Sequence, residues 1–549
     1  MDADVGPATI QGSPSRTFWV TAPTGRRLLS RLNSVAMSIL GLDIGTSGVK
    51  AVAFRDDGQF LTSAYREYNL KSQRPGWLEL DPAEVLAAIR HVTGTVGSMT
   101  RADPIKSVGT SALGEAAVPV DGAGKAVGNA IIGFDARGEA EMTQLKKQLT
   151  NHEVFDITGH GINSYHTLFK MAWRRDNDRD VFKSARKFLC FGDFTAASMG
   201  VPAKMDYSLA ARTLAFDIHS LEWSRKIIEA AGLSTDIFPP AVAPGEALGE
   251  LGASAATEFG LPRGCIFSAG LHDQPAGILG AGIQPGESML ATGTVICLGV
   301  RLKAKPQGTV MVDNNLCYYP TAGDRQYVSI AWNFTGGSLL KWYRDNLVGE
   351  EIQEAARRSV DAYEVITQGL PDNPTGLLVL PHFTTTGTPW LDPRALGAIF
   401  GLRLTTTRKD IVKAILEGII YEIRLNVELL RAAGVEIGLY KAIGGAAKSQ
   451  AWMQVAADVL GRPVAITTVT EGAAFGAALL GAKAAGVVRS LSEIEQIVQD
   501  SARVECVLEP RLDRTRKYDE RFKIYKDLYP RTKDLSHRVF ALGEEAGTP

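Results

Sequence analysis

Two stretches far apart in the chain follow one pattern. Leu42–Ala53 and Ser288–Gly299 (SMLATGTVICLG) each read as an apolar strand, a Gly-Thr turn and a returning strand. Around the first, Ile39–Ile44 is apolar, G-T-S-G turns it, and Val49–Phe54 comes back; Asp56-Asp57-Gly58 then turns the chain into Phe60–Tyr68. Three strands joined by tight glycine turns make an antiparallel meander. A chain that runs this plan twice is held to two lobes of similar build, and 549 residues is too long for one ordinary core.

Helices follow each turn. RPGWLELDPAEVLAAIRHVTGTV places Asp81 as an N-cap, Pro82 at the first helical position and Glu84 where it completes a capping box. Ser107–Leu113 is a strand, and a hairpin turned at Asp121-Gly122 comes next. In the second half Lys441–Ile443 is a strand, Gly444-Gly445 a turn, and Ser449–Leu460 a helix closed by Gly461. Pro463–Val469 is a further strand, leading to an alanine-rich helix from Glu471. Strands alternating with helices make the fold class α/β. The lobes are expected to divide near Pro285-Gly286, into residues 37–285 and 286–549.

A net charge of −1 offers no basic face, which argues against a nucleic-acid partner and against a polybasic membrane anchor. Five cysteines are scattered with no C-x-x-C pair, the pattern of reduced thiols in a cytoplasmic protein. No apolar run is long enough to span a bilayer. Residues 1–36 differ: Arg16, Arg26, Arg27 and Arg31 stand among Ser, Thr and Pro, with no acid between Val5 and Leu42. That composition suits a transit peptide, or an over-extended start with Met37 opening the folded part; we take the second.

The turn in LDIGTSGVK has glycines at Gly45 and Gly48, which leave backbone N–H groups open to an anion. Thr46 and Ser47 add hydroxyls, Lys50 adds charge, and Asp43 at the strand end is the candidate Mg²⁺ ligand. Thr292, Gly293 and Thr294 supply a matching turn from the second lobe. Gly336-Gly337 and Gly444-Gly445 each precede an expected helix, an arrangement that favours nucleotide phosphates. A hairpin turn or a strand-to-helix turn explains each feature equally well when it is taken alone.

Taken in order, D-x-G-T, a mid-chain aspartate, G-T, G-G and a late G-G-A resemble the FGGY family of carbohydrate kinases. YHTLFKMAWRRDN (Tyr165–Asn177) is similar to the first family motif, with Lys170 and Trp173 in place and a departure at Arg174. GAIFGLRLTTTRKDIVKAILE (Gly397–Glu417) fits the second, including Gly401, Asp410, Ala414 and Glu417. The likeness runs from Ile39 to Val487, with a tyrosine-rich closing helix over Tyr518–Tyr529. The residues themselves read structurally: Thr407 and Asp410 form a capping box, and Ile411, Ile415, Ile419 and Ile423 repeat at helical spacing.

The resemblance implies two ribonuclease-H-like, actin-like ATPase domains with a cleft between them, the first for the sugar and the phosphates, the second for the nucleotide. It implies ATP and Mg²⁺ as cofactors, with the nucleotide held by the two turns, Gly336, Gly337, Gly444, Gly445, Ala446 and Ser449. It makes Asp273, in GLHDQPAG, the base that takes the proton of the attacking hydroxyl, with Gln274 as a hydroxyl ligand. A carboxylate on a glycine-flanked loop after a buried strand suits that task. His272 is set aside, because successive side chains on an extended segment point apart. Gly114 and Glu115 sit where the family contacts its substrate, and a carboxylate there can accept from two hydroxyls. Asp135 and Arg137 read as a ligand pair or a mutual ion pair, and Trp77 as packing against the helix that Asp81 caps.

The expected activity is therefore ATP-dependent phosphorylation of a primary hydroxyl on an open-chain sugar or polyol. A ketopentose such as xylulose or ribulose comes first, then a tetritol, a glycerol-like polyol or an aldonate. The partner is a small molecule, and a homodimer is compatible with the resemblance. The rival classes on the same core are a non-transferring ATPase or sensor, which would need no Asp273, and a filament-forming actin relative.

Overall fold

Two seven-stranded mixed sheets, one from each half of the chain, carry the same strand order. The computed structural model describes residues 37–545; residues 1–36, discussed above, lie outside the described residues. In the first sheet, β1 (Ser38–Ile44), β2 (Gly48–Arg55) and β3 (Phe60–Glu67) form the expected meander. Helix α1 (Pro82–Met99) follows, then β4 (Ile105–Ala112), which lies parallel to β1. An insertion contains helices α2 (Thr167–Asn177) and α3 (Tyr207–Arg212). The sheet is completed by β5 (Ala247–Glu250), β6 (Ile266–Ser268) and the two-residue β7 (Leu271–His272), with helix α4 (Asp273–Gly280) directly after it.

The second sheet repeats this. A hairpin of β8 (Glu287–Thr292) and β9 (Ile296–Arg301) is extended by β10 (Tyr319–Pro320) and β11 (Tyr327–Asn333). Helices α5 (Gly337–Leu347) and α6 (Arg408–Ala432) precede β12 (Leu439–Ile443), which is parallel to β8. Helix α7 (Gln450–Leu460), β13 (Val464–Thr467), helices α8 (Gly472–Ala484) and α9 (Leu491–Ser501), β14 (Val504–Leu508) and the long α10 (Leu512–Glu545) close the chain. The orders β3-β2-β1-β4-β6-β5 and β11-β9-β8-β12-β13-β14 match strand for strand, two antiparallel steps, two parallel, one antiparallel. β1 and β4 lie mid-sheet and are buried along nearly their whole length, as expected of strands with a parallel neighbour in the middle of a covered sheet.

The two halves of the chain meet through glycines. Helix α8 comes from the second half of the chain yet packs on the first sheet, among Ile39, Val52, Phe54 and Leu271. A carbon added at Gly41 would stand 1.8 Å from the Ala474 carbonyl oxygen, and one at Gly109 would stand 1.9 Å from that of Ala477. The same holds between helices: Gly280 faces the Gly472 carbonyl at 1.9 Å, and Gly476 faces that of Ala276 at 2.2 Å. Backbone rests on backbone here, so the helix headed by Asp273 is seated without slack.

Elsewhere capping chemistry decides the ends. Thr407 and Asp410 make the expected capping box on α6. Asp81 caps α1 by accepting from the Ala83 N–H at 2.9 Å, but Glu84 pairs with Lys71 and completes no box. Trp77 packs edge-on against Trp173 of α2, ring centroids 5.2 Å apart, with the Arg137 guanidinium over its face; it packs as expected, but these partners replace the helix that Asp81 caps. Asp135 and Arg137 are a buried, two-pronged ion pair, with Glu79 as a third member. Lys170 donates to the Asp135 and Arg137 carbonyls at 2.8 and 2.6 Å, so this motif lysine holds that loop. On α10, Tyr518, Tyr525 and Tyr529 are buried and donate to Glu417, Glu422 and Asp392.

Candidate active site

The first turn closes between paired residues: Asp43 stands opposite Lys50 and Ile44 opposite Val49, and the Gly45 N–H donates to the Gly48 carbonyl at 3.0 Å. The N–H groups of Thr46 and Ser47 have no hydrogen-bond partner among the described residues. They remain available to an anion. Asp43 accepts from the Ser111 hydroxyl at 2.7 Å, and burial raises its pKa. Lys50 does not point into the turn; its Nζ lies 3.0 Å from both oxygens of Glu471, just ahead of α8.

The second turn, Gly293 to Val295, is held by the Gly293 N–H donating to the Val295 carbonyl at 3.0 Å, and it is exposed. Thr292 is buried and its hydroxyl donates to the Ile443 carbonyl at 2.9 Å, tying β8 to β12. The amides of Gly336 and Gly337 donate to the carbonyls of Thr294 and Gly293 at 3.0 and 2.8 Å. Their donors are therefore spent on the turn, and these glycines support it where direct phosphate contacts were expected. Gly444 (φ 95°) abuts the Thr292 carbonyl, and a carbon at Gly445 would meet nothing within 4 Å. A short 3₁₀ turn, Gly445–Lys448 with Ala446 in it, separates these glycines from α7. Ser449 is the N-cap of that helix, accepting from the Trp452 N–H at 3.4 Å, so the helix starts one residue later than expected.

Asp273 is the first residue of α4, where a loop was expected; β7 before it pairs with Ser111 and Ala112 at the end of β4. Ser111 also neighbours Asp43 across the β1–β4 ladder, so the sheet brings the two acids to one edge. About a third of the Asp273 side chain, 32%, is exposed. Its Oδ1 and the Gln274 Oε1 are buried without a hydrogen-bond partner. Burial first, then the charges of Asp43 and Glu115, push its pKa up to about 7. The setting apart of His272 is overturned: the strand ends between the two residues, and His272 Nε2 lies 3.1 Å from Asp273 Oδ1.

Glu115 adopts a left-handed backbone (φ 56°), a strained state for a residue with a side chain. Its carboxylate is ion-paired with Arg212 at the end of α3. That helix is capped by Asp206, which accepts from the Ser208 and Leu209 amides. The Arg212 guanidinium also meets His160 Nε2 at 3.2 Å and lies over the rings of Tyr165 and Tyr319. Burial lowers the pKa of His160 to about 3 and that of His166 well below its ordinary value, so both rings are neutral. Arg212 Nε and His166 Nε2 lack hydrogen-bond partners in the interior, a costly state unless something else satisfies them.

Comparison with known proteins fits this geometry. The N-terminal domain of the FGGY family of carbohydrate kinases matches residues 38–280, and its C-terminal domain matches residues 289–485. The chain belongs to this family. It is similar to the xylulose kinase of Bacillus subtilis, 28% identical over 502 residues that cover 91% of this chain and 98% of the relative. A glycerol kinase of Pseudomonas fluorescens is 30% identical, covering 90% and 97%. The solved xylulose kinase of Rhodospirillum rubrum superposes with a TM-score of 0.81 at 25% identity, over 91% of this chain and all of that one.

As an FGGY carbohydrate kinase, the protein is a phosphotransferase that acts on a sugar or polyol. Of its expected site residues, Asp43, Asp273, Gln274 and Glu115 gather around one edge of the first sheet, with Gly114 beside them. Arg212, His160, His166 and Tyr319 were missed. They lie in the insertion and on β10, where neither strand nor helix periodicity marks a cleft. The signal in retrospect is limited to the arginine, a lone charge inside the otherwise uncharged segment SLAARTLAF; the two histidines stand in a polar, glycine-containing stretch (TGHGINSYH) that reads as a loop. Among the described residues no group of three or more metal-binding side chains comes together, and no helix is long and apolar enough to cross a membrane.

Proposed function

We propose that this kinase transfers the γ-phosphate of ATP to a primary hydroxyl of an open-chain sugar, a ketopentose such as xylulose or ribulose. The observation that carries this reading is Asp273: a carboxylate about a third exposed, beside Asp43, on a helix seated between the two halves. A group with a pKa near 7 is matched to taking a hydroxyl proton at neutral pH. In this reading residues 37–285 bind the sugar and the phosphates, and residues 286–549 the nucleotide.

The residues present fit a hydrated Mg²⁺. One half-buried carboxylate, Asp43, with open amides on the adjacent turn suits an ion that keeps most of its water and binds mainly to phosphate. When bound, the ion neutralises phosphate charge. The chain's own part is to bind and orient. The Thr46 and Ser47 amides hold the phosphate end, Glu115 and Gln274 fix the sugar hydroxyls, and Asp273 orients the attacking hydroxyl and takes its proton. Phosphoryl transfer asks for little more than this placement and charge balance.

The substrate side favours a neutral acceptor over an aldonate. The buried cation Arg212 is already neutralised by Glu115, and Lys170 is committed to two carbonyls. A tetritol or glycerol-like polyol is the remaining alternative. ADP release measured with Mg·ATP against a panel of ketopentoses, tetritols, glycerol and gluconate tests the reading. Turnover highest with a ketopentose supports it; turnover on gluconate alone would overturn the neutral-acceptor argument, and ATP hydrolysis indifferent to every sugar would indicate a non-transferring ATPase.

A further inference from the structure

His272 sits between two polar groups that come from different halves of the chain. Its Nδ1 lies 2.8 Å from the Tyr319 hydroxyl, on β10 of the second sheet, and its Nε2 lies 3.1 Å from Asp273 Oδ1. Its own N–H donates to the Ser208 hydroxyl at 2.8 Å, and that hydroxyl donates to the N-cap Asp206. The ring also rests on Gly114: a carbon added there would stand 2.9 Å from Nε2. The imidazole thus has contacts on three sides and its backbone is held by a fourth, and the absence of a side chain at position 114 makes room for the ring.

We infer that His272 is a positioning residue for the reaction, holding Oδ1 of Asp273 through its Nε2–H so that the second carboxylate oxygen faces the sugar hydroxyl. Tyr319 fixes the ring by donating its hydroxyl proton to Nδ1, which leaves the single imidazole proton on Nε2. The charge state agrees. Burial, with Arg212 and His160 facing the ring, keeps the imidazole neutral, so it carries one N–H and one acceptor. Oδ1 has no aligned hydrogen bond in this structure, and catalytic contacts commonly tighten only in the substrate complex. Because Tyr319 belongs to the second sheet, the direction of the base is tied to the placement of both halves.

This inference rests on the proposed role of Asp273, so two measurements are needed. In steady-state kinetics with Mg·ATP and D-xylulose, His272→Leu is expected to lower kcat by on the order of a hundredfold, the cost of a misplaced catalytic group, with the sugar KM within about threefold. His272→Gln, which keeps a donor near Nε2, recovers most of the loss, and Tyr319→Phe falls between. Gly114→Ala, which leaves all the polar groups in place and displaces the ring, reproduces the His272→Leu loss in kcat. The second readout needs no turnover: ¹⁵N NMR of the full chain with labelled histidine. The expected resonance for His272 is the neutral Nε2–H form, lost as a single tautomer in Tyr319→Phe. Equal kcat in His272→Leu and wild type, equal losses in His272→Leu and His272→Gln, or an Nδ1–H tautomer would each overturn the inference. If the wild type leaves D-xylulose untouched, the ketopentose reading fails while the tautomer still decides this one.

Discussion

Lys50 and Glu471, 421 positions apart, meet with Nζ 3.0 Å from each carboxylate oxygen. The contact joins β2 of the first sheet to the residue that precedes α8. Both side chains are about a third exposed, so the pair contributes little to stability, on the order of 0–1 kcal/mol. Its interest lies in Lys50, which stands one strand step from the first turn and is engaged by an acid where phosphate was expected.

Lys50→Met separates these roles. We expect unfolding midpoints within about 1 kcal/mol of wild type and a drop in kcat/KM for ATP of at least about tenfold, measured at constant ionic strength. Glu471→Gln, which releases the lysine, is expected to leave that constant unchanged or raise it. An ATP constant unmoved by Lys50→Met would confine the lysine to the ion pair.

The raised pKa of Asp273 gives a pH dependence with a definite sign. The base works ionised, so kcat/KM for the sugar falls as the pH drops through about 7. Stability runs the other way. The fold favours the protonated acid, so the ionisation penalty is absent below the ordinary carboxyl value, grows as pH rises toward 7, and is complete above it. Asp273→Asn should therefore stabilise the protein at pH 8 by about 1 kcal/mol, allowing for the water that reaches the side chain, and should gain nothing at pH 4. Thermal midpoints at the two pH values check this.

Arg137 is expected to be the costly ion-pair deletion. Its guanidinium serves the buried Asp135 and Glu79 and covers the Trp77 and Trp173 rings. Arg137→Leu leaves two interior carboxylates uncompensated, which costs about 3–5 kcal/mol in urea unfolding. Asp135→Asn, which keeps the shape and a hydrogen-bonding group, should cost less.

The glycine seam predicts a steric failure. A methyl at Gly280 would lie 1.9 Å from the Gly472 carbonyl oxygen, and one at Gly476 would lie 2.2 Å from that of Ala276. Either alanine forces α4 and α8 apart. We expect a loss above about 3 kcal/mol, beyond ordinary overpacking because backbone opposes backbone. Gly94→Ala on α1, where nothing lies within 4 Å, is the control and should be neutral or stabilising.

The sheet plan was legible because its signals are local. The turns at Gly45 and Gly293, the caps at Asp81 and Thr407, and the αL stop at Gly461 each follow from a few adjacent residues. The candidate site was half legible. Asp43 and Asp273 stand at strand ends, where apolar pattern and an isolated charge conflict visibly. What stayed hidden depends on partners distant in the chain: Lys50 with Glu471, Glu115 with Arg212, His272 with Tyr319. The orientation of His272 failed for a definite reason, since the extended-chain rule stops at a strand end and α4 begins at Asp273. The spent amides of Gly336 and Gly337 were invisible for a related one, because a glycine pair reads alike whether it binds a ligand or another turn.

The most direct test of the account is the Asp273→Asn variant, assayed in parallel for Mg·ATP binding by calorimetry and for sugar phosphorylation in single-turnover experiments. We predict binding within about threefold of wild type and a phosphoryl-transfer rate lower by about a thousandfold, within the span attributed to a general base. Transfer at an undiminished rate, with nucleotide bound normally, would contradict the assignment of that carboxylate to the chemistry.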